Sequence, residues 1–182
     1  MMSSYDLGTV SRALTVVQPW AHAIVHLGKD IENRSWKPPE ALIGKRFAIH
    51  AGCSLRTADL EDLQDEGYTF PTAPVLRAII ATVRLAGWVC DKGQRSQNLT
   101  VEQARVALRS RWYVPGEIGW MLADVDALPS PVTCKGALGL WSLSRLRTDE
   151  HPVREKEVAF AKAKLEDVAD VQVTPKQLSL FS

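Results

Sequence analysis

The sequence lacks the features that would place it in several common classes of protein. Its 182 residues contain only three cysteines, and Cys53, Cys90 and Cys134 form neither a C-x-x-C pair nor a zinc-ligand spacing. No apolar run approaches the roughly 18 residues that a membrane helix needs. Residues 1–10 have neither the positive charge nor the apolar segment of a secretory signal. We therefore expect a reduced, cytoplasmic protein that has no membrane partner.

The sequence also has no excess of charge of one sign. Its 22 lysines and arginines nearly balance its 21 aspartates and glutamates, which leaves a net charge of +1. This balance excludes a uniformly basic protein, so a nucleic-acid site would have to be a local patch. The hydrophobic fraction of 46% is enough to bury a core, and the length indicates one domain with an appendage.

A metal site finds little support in the pattern of ligand residues. His22 and His26 lie four residues apart on a predicted helix over residues 19–27, so their side chains are stacked one turn apart. The helix lacks the glutamate that follows the first histidine of a zincin, and no third ligand is evident. We predict no metal site and no cofactor.

The apolar patterns predict a mixture of strands and helices. Strands are expected where apolar and β-branched residues concentrate, and helices where they follow a capping residue. The predicted strands are residues 13–18, 30–36, 45–50, 78–90, 118–125 and 136–143, and the predicted helices are residues 19–27, 55–66 and 100–109. Gly87 is expected to mark a bend in the long fourth strand. Residues 126–131 are expected to lead away from the sheet.

The segment after the first predicted helix combines charges with an indole. Alternate side chains of a strand point to opposite faces, so Glu32, Arg34 and Trp36 share a face. Asp30 belongs to the same face, and Lys29 stands at the entrance of the strand. A strand that only covers a core would be apolar on its buried face, so the pattern predicts the wall of a cleft. The alternative is a solvated face with an ion pair of little energetic weight.

Two further places are candidates for ligand contact. His50 falls near the end of a predicted strand, where the alternative is a histidine hydrogen-bonded at the edge of the core. Ser54 follows in a turn of small residues, which lets a ligand come close and can also cap the next helix. The acidic face of that helix is expected to lie away from any nucleic-acid groove, because it would repel phosphates.

Basic and aromatic residues are interleaved between residues 92 and 113, as single-stranded nucleic acid would require. The group consists of Lys92, Arg95, Arg105, Arg109, Arg111, Trp112 and Tyr113. From it we select Arg105 and Arg109 as nucleic-acid contacts. The alternative is a basic helix face beside core aromatics.

Three segments together resemble the ASCH (activating-signal-cointegrator homology) domain. They are Gln18-Pro19-Trp20, Gly28-Lys29-x-x-Glu32-x-Arg34-Ser35-Trp36 and Gly44-Lys45-Arg46-x-x-Ile49-His50-Ala51. The resemblance implies an α+β fold over residues 12–147, namely a small β-barrel with flanking helices that is related to the PUA and YTH folds. It also implies a cleft between barrel and helix, lined by Lys29, Glu32 and Arg34.

The first function that the resemblance implies is binding of nucleic acid, RNA or single-stranded, by a cleft suited to one splayed-out nucleotide. Arg34 would grip a phosphate or a base edge, and Glu32 would accept from a base amino group or orient Arg34. Trp20 or Trp36 would stack on the base. Gln18 and His50 would line the rim.

The alternative function is a small hydrolase. Some ASCH relatives remove the acetyl group from N4-acetylcytidine, and ribonuclease activity is also associated with the fold. Lys29 and Glu32 would then be the catalytic pair. The deacetylating relatives carry a threonine at the position of Glu32, so this chain lacks their presumed nucleophile. An ion pair with Glu32 is also expected to keep Lys29 protonated and a poor base.

The last part of the sequence predicts a charged helix over residues 148–170 and a flexible tail over residues 171–182. The tail segment 177–181 resembles the peptide by which bacterial replication and repair proteins dock on the DNA sliding clamp. That resemblance implies that Leu180 and Phe181 fill an apolar pocket, that Leu178 fills a smaller one and that Gln177 hydrogen-bonds at the rim. The alternative is a tail that packs on its own barrel.

Overall fold

A computed structural model describes residue 7 and residues 10–147 of the chain. The strands are β1 (Arg12–Gln18), β2 (Ile31–Arg34), β3 (Arg46–Leu55), β4 (Ala78–Val89), β5 (Ile118–Thr133) and β6 (Leu140–Ser142). The helices are α1 (Trp20–His26), α2 (Thr57–Asp65) and α3 (Val101–Leu108), with 3₁₀ turns at Glu40–Leu42 and Leu143–Arg147. The predicted α+β class is confirmed. The predicted C-terminal helix and tail lie outside the described residues.

All six strands form one mixed sheet in the order β2-β5-β4-β3-β1-β6. Within residues 10–147 no strand pairing joins β2 to β6, so backbone hydrogen bonds do not close the sheet into a barrel. The sheet curls nevertheless and brings β2 close to β1, as the hydrogen bond from Arg34 Nη2 to the Thr15 carbonyl at 2.7 Å shows. These strands are four places apart in the sheet. The Arg34 side chain therefore spans a gap that backbone hydrogen bonds between strands would fill in a closed barrel.

The direction of β1 and β3 fixes where two of the helices begin. These strands are parallel, and Gln18 at the end of β1 is the register partner of Leu55 at the end of β3. Two residues beyond each of these positions a helix begins, α1 after β1 and α2 after β3. Both helices therefore start at the same edge of the sheet, beside the gap between β1 and β2.

Aromatic and aliphatic side chains fill the inside of the curled sheet. Trp120 and Phe47 are fully buried, and the ring of Trp36 packs edge-on against Trp120 with 4.7 Å between centroids. A second cluster joins Ile31 of β2 to α3 and to Trp112. Burial of each large side chain stabilises the fold by about 1.5–3 kcal/mol. The two clusters therefore hold β2 and the segment around Trp112 in place beside the gap between β1 and β2.

The fifth strand is longer than expected. Residues 126–131 continue β5 along β4, so the prediction that they leave the sheet is wrong. Ile79 pairs with Val132 but Ala81 pairs with Ala127, so four residues of β5 face one residue of β4. This bulge takes Pro129 and Pro131 off the regular ladder, which is how the strand tolerates two residues without a backbone donor.

Two other boundaries also differ from expectation. The predicted turn at residues 51–54 is part of β3, and α2 has no side-chain cap, so Ser54 does not cap it. The closing strand is short because Gly136 lies against the ring of His50 and Gly139 has a φ of +64°, which a regular strand does not adopt. In the described part of the chain, no helix is long and apolar enough to cross a membrane.

Candidate functional site

The gap between β1 and β2 opens into a cleft of about 680 Å³. Its walls come from β1, the start of α1, residues 29–36, α2 and the loop over residues 111–117. Trp20, Lys29, Glu32, Arg34 and Trp36 all line it, so five of the residues selected from the sequence lie together.

Charged side chains meet at the base of the cleft. Lys29 is 3% exposed and Glu32 is 7% exposed. Lys29 Nζ lies 3.5 Å from Glu32 Oε2 and donates to the Ile31 carbonyl, while Arg34 Nε lies 3.2 Å from Glu32 Oε1. One carboxylate is thus shared by two cations, which leaves one excess positive charge in a poorly solvated place.

Arg34 is only partly satisfied by this arrangement. Its Nη2 is held by the Thr15 carbonyl, but its Nε is not aligned for a hydrogen bond to Glu32 and has no other partner among the described groups. A buried N–H without an acceptor is rare and costs about 1–3 kcal/mol. The Nε is therefore held beside Glu32 by the ion pair rather than by an aligned hydrogen bond.

Burial lowers the pKa of the Lys29 amine, and this effect outweighs the opposing attraction of Glu32. Glu32 raises this pKa, as the sequence analysis expected of the ion pair, but burial has the larger effect. The missing information was the enclosure of the amine, because Nζ lies 5.7 Å from the ring centroid of Trp20 and 5.9 Å from that of Trp112. Both rings exclude water from the amine.

Three indoles form the apolar surface of the cleft, and each is fixed by other contacts. Trp20 donates from Nε1 to Asp59 Oδ2 at 2.8 Å, and its ring meets Trp112 edge-on with 6.4 Å between centroids. The Trp36 ring packs edge-on against Trp120 with 4.7 Å between centroids, and the Trp36 backbone carbonyl accepts from Trp120 Nε1 at 3.0 Å. Fixed rings can stack on a flat ligand with little loss of side-chain entropy.

Asn33 positions the loop that carries Trp112, and sequence reasoning missed it. Its amide donates to the Trp112 carbonyl at 2.7 Å, and its Oδ1 accepts from the Val114 N–H at 3.0 Å. Asp30, which was expected on the cleft face, instead accepts from Ser110 Oγ at 2.6 Å. Strand alternation could have identified Asn33 from the sequence. It places this residue on the face opposite Glu32 and Arg34, where an asparagine needs hydrogen-bond partners of its own.

The rim of the cleft is acidic. It is lined by Asp59, Asp62 and Glu66, which belong to α2 and its end, and by Glu117. The helix face that was expected to lie away from any nucleic-acid groove therefore faces this cleft. Two guanidinium groups oppose these four carboxylates, and they belong to Arg56 and Arg111. Arg56 lies 3.6 Å from Asp59, and Arg111 pairs with Glu66 and stacks on Tyr68 and Trp112.

Five other residues selected from the sequence lie outside the cleft lining. Gln18 is buried and bonds the Val75 carbonyl and the His22 N–H. His50 is buried with its nitrogens 3.3 Å from Thr15 Oγ1 and 3.2 Å from the Cys134 carbonyl, and burial lowers its pKa. The exposed side chains are those of Ser54, Arg105 and Arg109.

Metal ligands do not gather in the described part of the chain, where no group of three His, Cys, Asp or Glu side chains is placed to hold an ion. His22 and His26 stack on each other with 4.5 Å between ring centroids, and His22 also packs against Phe70.

Comparison with protein-family models and with curated proteins finds no match. Comparison with solved structures finds a similarity to the crystal structure of a serine-to-alanine mutant of the ZmASCH protein from Zymomonas mobilis. The sequences are 18% identical, the match covers 75% of this chain and 94% of that chain, and the TM-score is 0.40.

The lowered pKa of Lys29 predicts a specific dependence of stability on pH. Between the folded-state pKa and the ordinary value of 10.5, the unfolded chain binds a proton that the folded chain has released. The free energy of unfolding should therefore gain a rising contribution through this interval. Lys29→Met should remove that contribution, and urea denaturation over a series of pH values would measure it. The exposed Lys45→Met serves as control, and a Lys29→Met profile parallel to that of the wild type would contradict the assignment.

Proposed function

We propose that the cleft binds one nucleotide of RNA or of a single-stranded nucleic acid, with the base inserted first. The observation that supports this most directly is the buried Lys29–Glu32–Arg34 cluster at the base of a cleft walled by indoles. A nucleobase offers flat faces for stacking and, at its edge, adjacent donors and acceptors. Arg34 can donate to a base carbonyl or ring nitrogen, and Glu32 can accept from an exocyclic amine.

The size and the charge of the cleft favour a single base over a phosphate backbone. A volume of about 680 Å³ lies within the range of roughly 300–1,000 Å³ that is common for small-ligand pockets. It suits one nucleotide and is too narrow for a duplex. The carboxylates of α2 at the rim repel phosphates, so the strand would approach from the side away from α2.

Arg34→Ala should weaken binding of nucleosides and of short single-stranded oligonucleotides. Loss of a well-placed guanidinium contact costs about 1–3 kcal/mol, which is roughly a 5- to 140-fold loss of affinity. Isothermal titration with the four ribonucleosides, and fluorescence anisotropy with labelled RNA and DNA, would measure the effect. Arg84→Ala is the matched control, because Arg84 is paired with Asp124 on the surface and does not line the cleft. Equal affinity of Arg34→Ala and wild type would refute the proposal.

A second candidate function is hydrolysis of an amide on a modified nucleoside, of which N4-acetylcytidine is the type suggested by the sequence motifs. The specific observation in its favour is the position of the Lys29 amine, which is enclosed by Trp20 and Trp112 and lies 3.5 Å from Glu32. Burial there lowers the pKa of the amine, which brings it closer to the range of a general base. Glu32 would orient that amine. In this case the nucleoside would be substrate rather than ligand, bound by the same walls.

Hydrolysis makes a prediction that simple binding does not. The wild type should release cytidine from N4-acetylcytidine at a rate that rises with pH through the lowered pKa of Lys29, because only the neutral amine is a base. Lys29→Met and Glu32→Gln should each abolish this release, while Lys45→Met should not. Chromatography of the nucleosides after incubation measures the reaction. Binding of N4-acetylcytidine without any release of cytidine would exclude this candidate.

The tail, which lies outside the described residues, supports a separate proposal about localisation within the cell. We propose that residues 177–181 dock on a bacterial DNA sliding clamp and so bring the cleft to sites of replication or repair. The supporting observation is the order Gln-Leu-Ser-Leu-Phe, in which a glutamine precedes three apolar anchors. Apolar anchors of this kind dominate the affinity of short peptides for their grooves.

Docking predicts that Leu180→Ala combined with Phe181→Ala lowers affinity for a purified clamp by at least about 30-fold, since a hot-spot anchor contributes about 2 kcal/mol or more. Surface plasmon resonance with immobilised clamp would measure it. Ser179→Ala combined with Ser182→Ala is the matched control in the same tail. Clamp affinity that does not change when the anchors are removed would disprove docking.

A further inference from the structure

A second cavity of about 470 Å³ opens beside the cleft. It is lined by Lys37 and Glu40 on one side and by Trp88 and residues 93–97 on the other. None of its lining residues belongs to the cleft, so it is a separate site.

The charge of this cavity is opposite to that of the cleft rim. Lys37 and Arg95 line it with Glu40, which gives two cations against one carboxylate. Within the described part of the chain neither cation forms an ion pair. Arg95 donates only Nε, to the Leu99 carbonyl at 3.0 Å, so its two terminal nitrogens keep their donors. Lys37 Nζ sits 4.7 Å from the centroid of the Trp88 ring.

Trp88 adds an unusual feature to the wall of this cavity. The residue is only 4% exposed, yet its indole N–H is buried and has no acceptor among the described groups. Such groups are uncommon, and they concentrate where a ligand or a functional contact compensates them. Two exposed cations without ion-pair partners among the described side chains line this cavity together with Trp88, and they favour a negatively charged ligand that is rich in acceptor oxygens.

The sheet places this cavity next to the cleft. Glu32 of β2 is the register partner of Trp120 in β5, which is the partner of Trp88 in β4. Neighbouring strands are about 4.8 Å apart, so the backbones at Glu32 and Trp88 are separated by roughly 10 Å. Along the chain the two sites are closer still, because Trp36 lines the cleft and Lys37 lines the cavity.

We propose that this cavity binds a phosphate group of the same nucleic-acid strand whose base occupies the cleft. The proposal rests on the proposed function of the cleft and extends it from a nucleotide to a strand. Lys37 would supply a point charge, and the free terminal nitrogens of Arg95 would supply the donor fork. The acidic rim keeps phosphates away from α2, and the cationic cavity fixes the direction in which the strand leaves the cleft.

The test compares a strand with a nucleoside in one double variant, Lys37→Gln with Arg95→Gln. The double variant should lose one phosphate contact, so the steepness of the plot of log oligonucleotide affinity against log salt should fall by about 0.7 for a single strand. Nucleoside affinity should stay at the wild-type value, which also shows that the variant is folded. Arg12→Gln with Lys45→Gln is the control, because it removes the same charges from exposed positions that line neither site.

An oligonucleotide affinity and salt slope equal to those of the wild type would overturn the proposal. If the wild type binds neither nucleosides nor oligonucleotides, the function proposed for the cleft fails by itself. The cavity is then tested alone by following the indole N–H resonance of Trp88 during titration with inorganic phosphate. A shift that the double variant lacks supports an anion site, and no shift overturns it. If inorganic phosphate shifts the resonance but the double variant binds oligonucleotides like the wild type, the ligand of the cavity is a free anion. That result contradicts the proposal that the cavity binds a phosphate of the nucleic-acid strand.

Discussion

The shared carboxylate of Glu32 is the interaction on which the rest of the structure depends. Removing a charged group from water costs several kcal/mol, and only well-placed partners recover that cost. Lys29 and Arg34 are those partners, and Arg34 reaches beyond the cluster to the Thr15 carbonyl of β1. Because β2 and β1 are not neighbours in the sheet, this contact also bridges the gap between them. The same group of atoms therefore defines the opening of the cleft and the chemistry at its base.

Charge is sorted over short distances in a protein whose net charge is only +1. The base of the cleft carries one excess positive charge, the rim carries an excess of carboxylates, and the second cavity is again positive. Exposed charges are screened within about 8–10 Å at physiological salt, so each region acts mainly on what is directly before it. Such a pattern can separate the neutral base of a nucleotide from its anionic backbone, which a uniformly basic surface cannot do.

Local pattern was sufficient to predict the parts of the site that lie on one strand. Alternation along residues 30–36 placed Glu32, Arg34 and Trp36 together, and α3 (Val101–Leu108) lies within the predicted helix of residues 100–109. The acidic face of α2 could not be assigned in the same way, because a charged helix face does not reveal which surface lies opposite. The lowered pKa of Lys29 could not be predicted from the sequence for a related reason. Glu32 is visible three residues away, but Trp112 arrives from a loop some eighty residues later and removes the solvent.

Binding and hydrolysis, the two functions proposed for the cleft, make the same demand on it. Exclusion of water by Trp20 and Trp112 would strengthen the hydrogen bonds that Arg34 donates to a base edge and those that Glu32 accepts from it, since the local dielectric is low. The same exclusion lowers the pKa of the Lys29 amine, which is the change that a general base requires. The two functions differ in where the carbonyl group of the ligand would lie in the cleft. A ligand whose reactive carbonyl stops at Arg34 is only bound, whereas one that reaches past Glu32 to the amine meets a group able to take a proton.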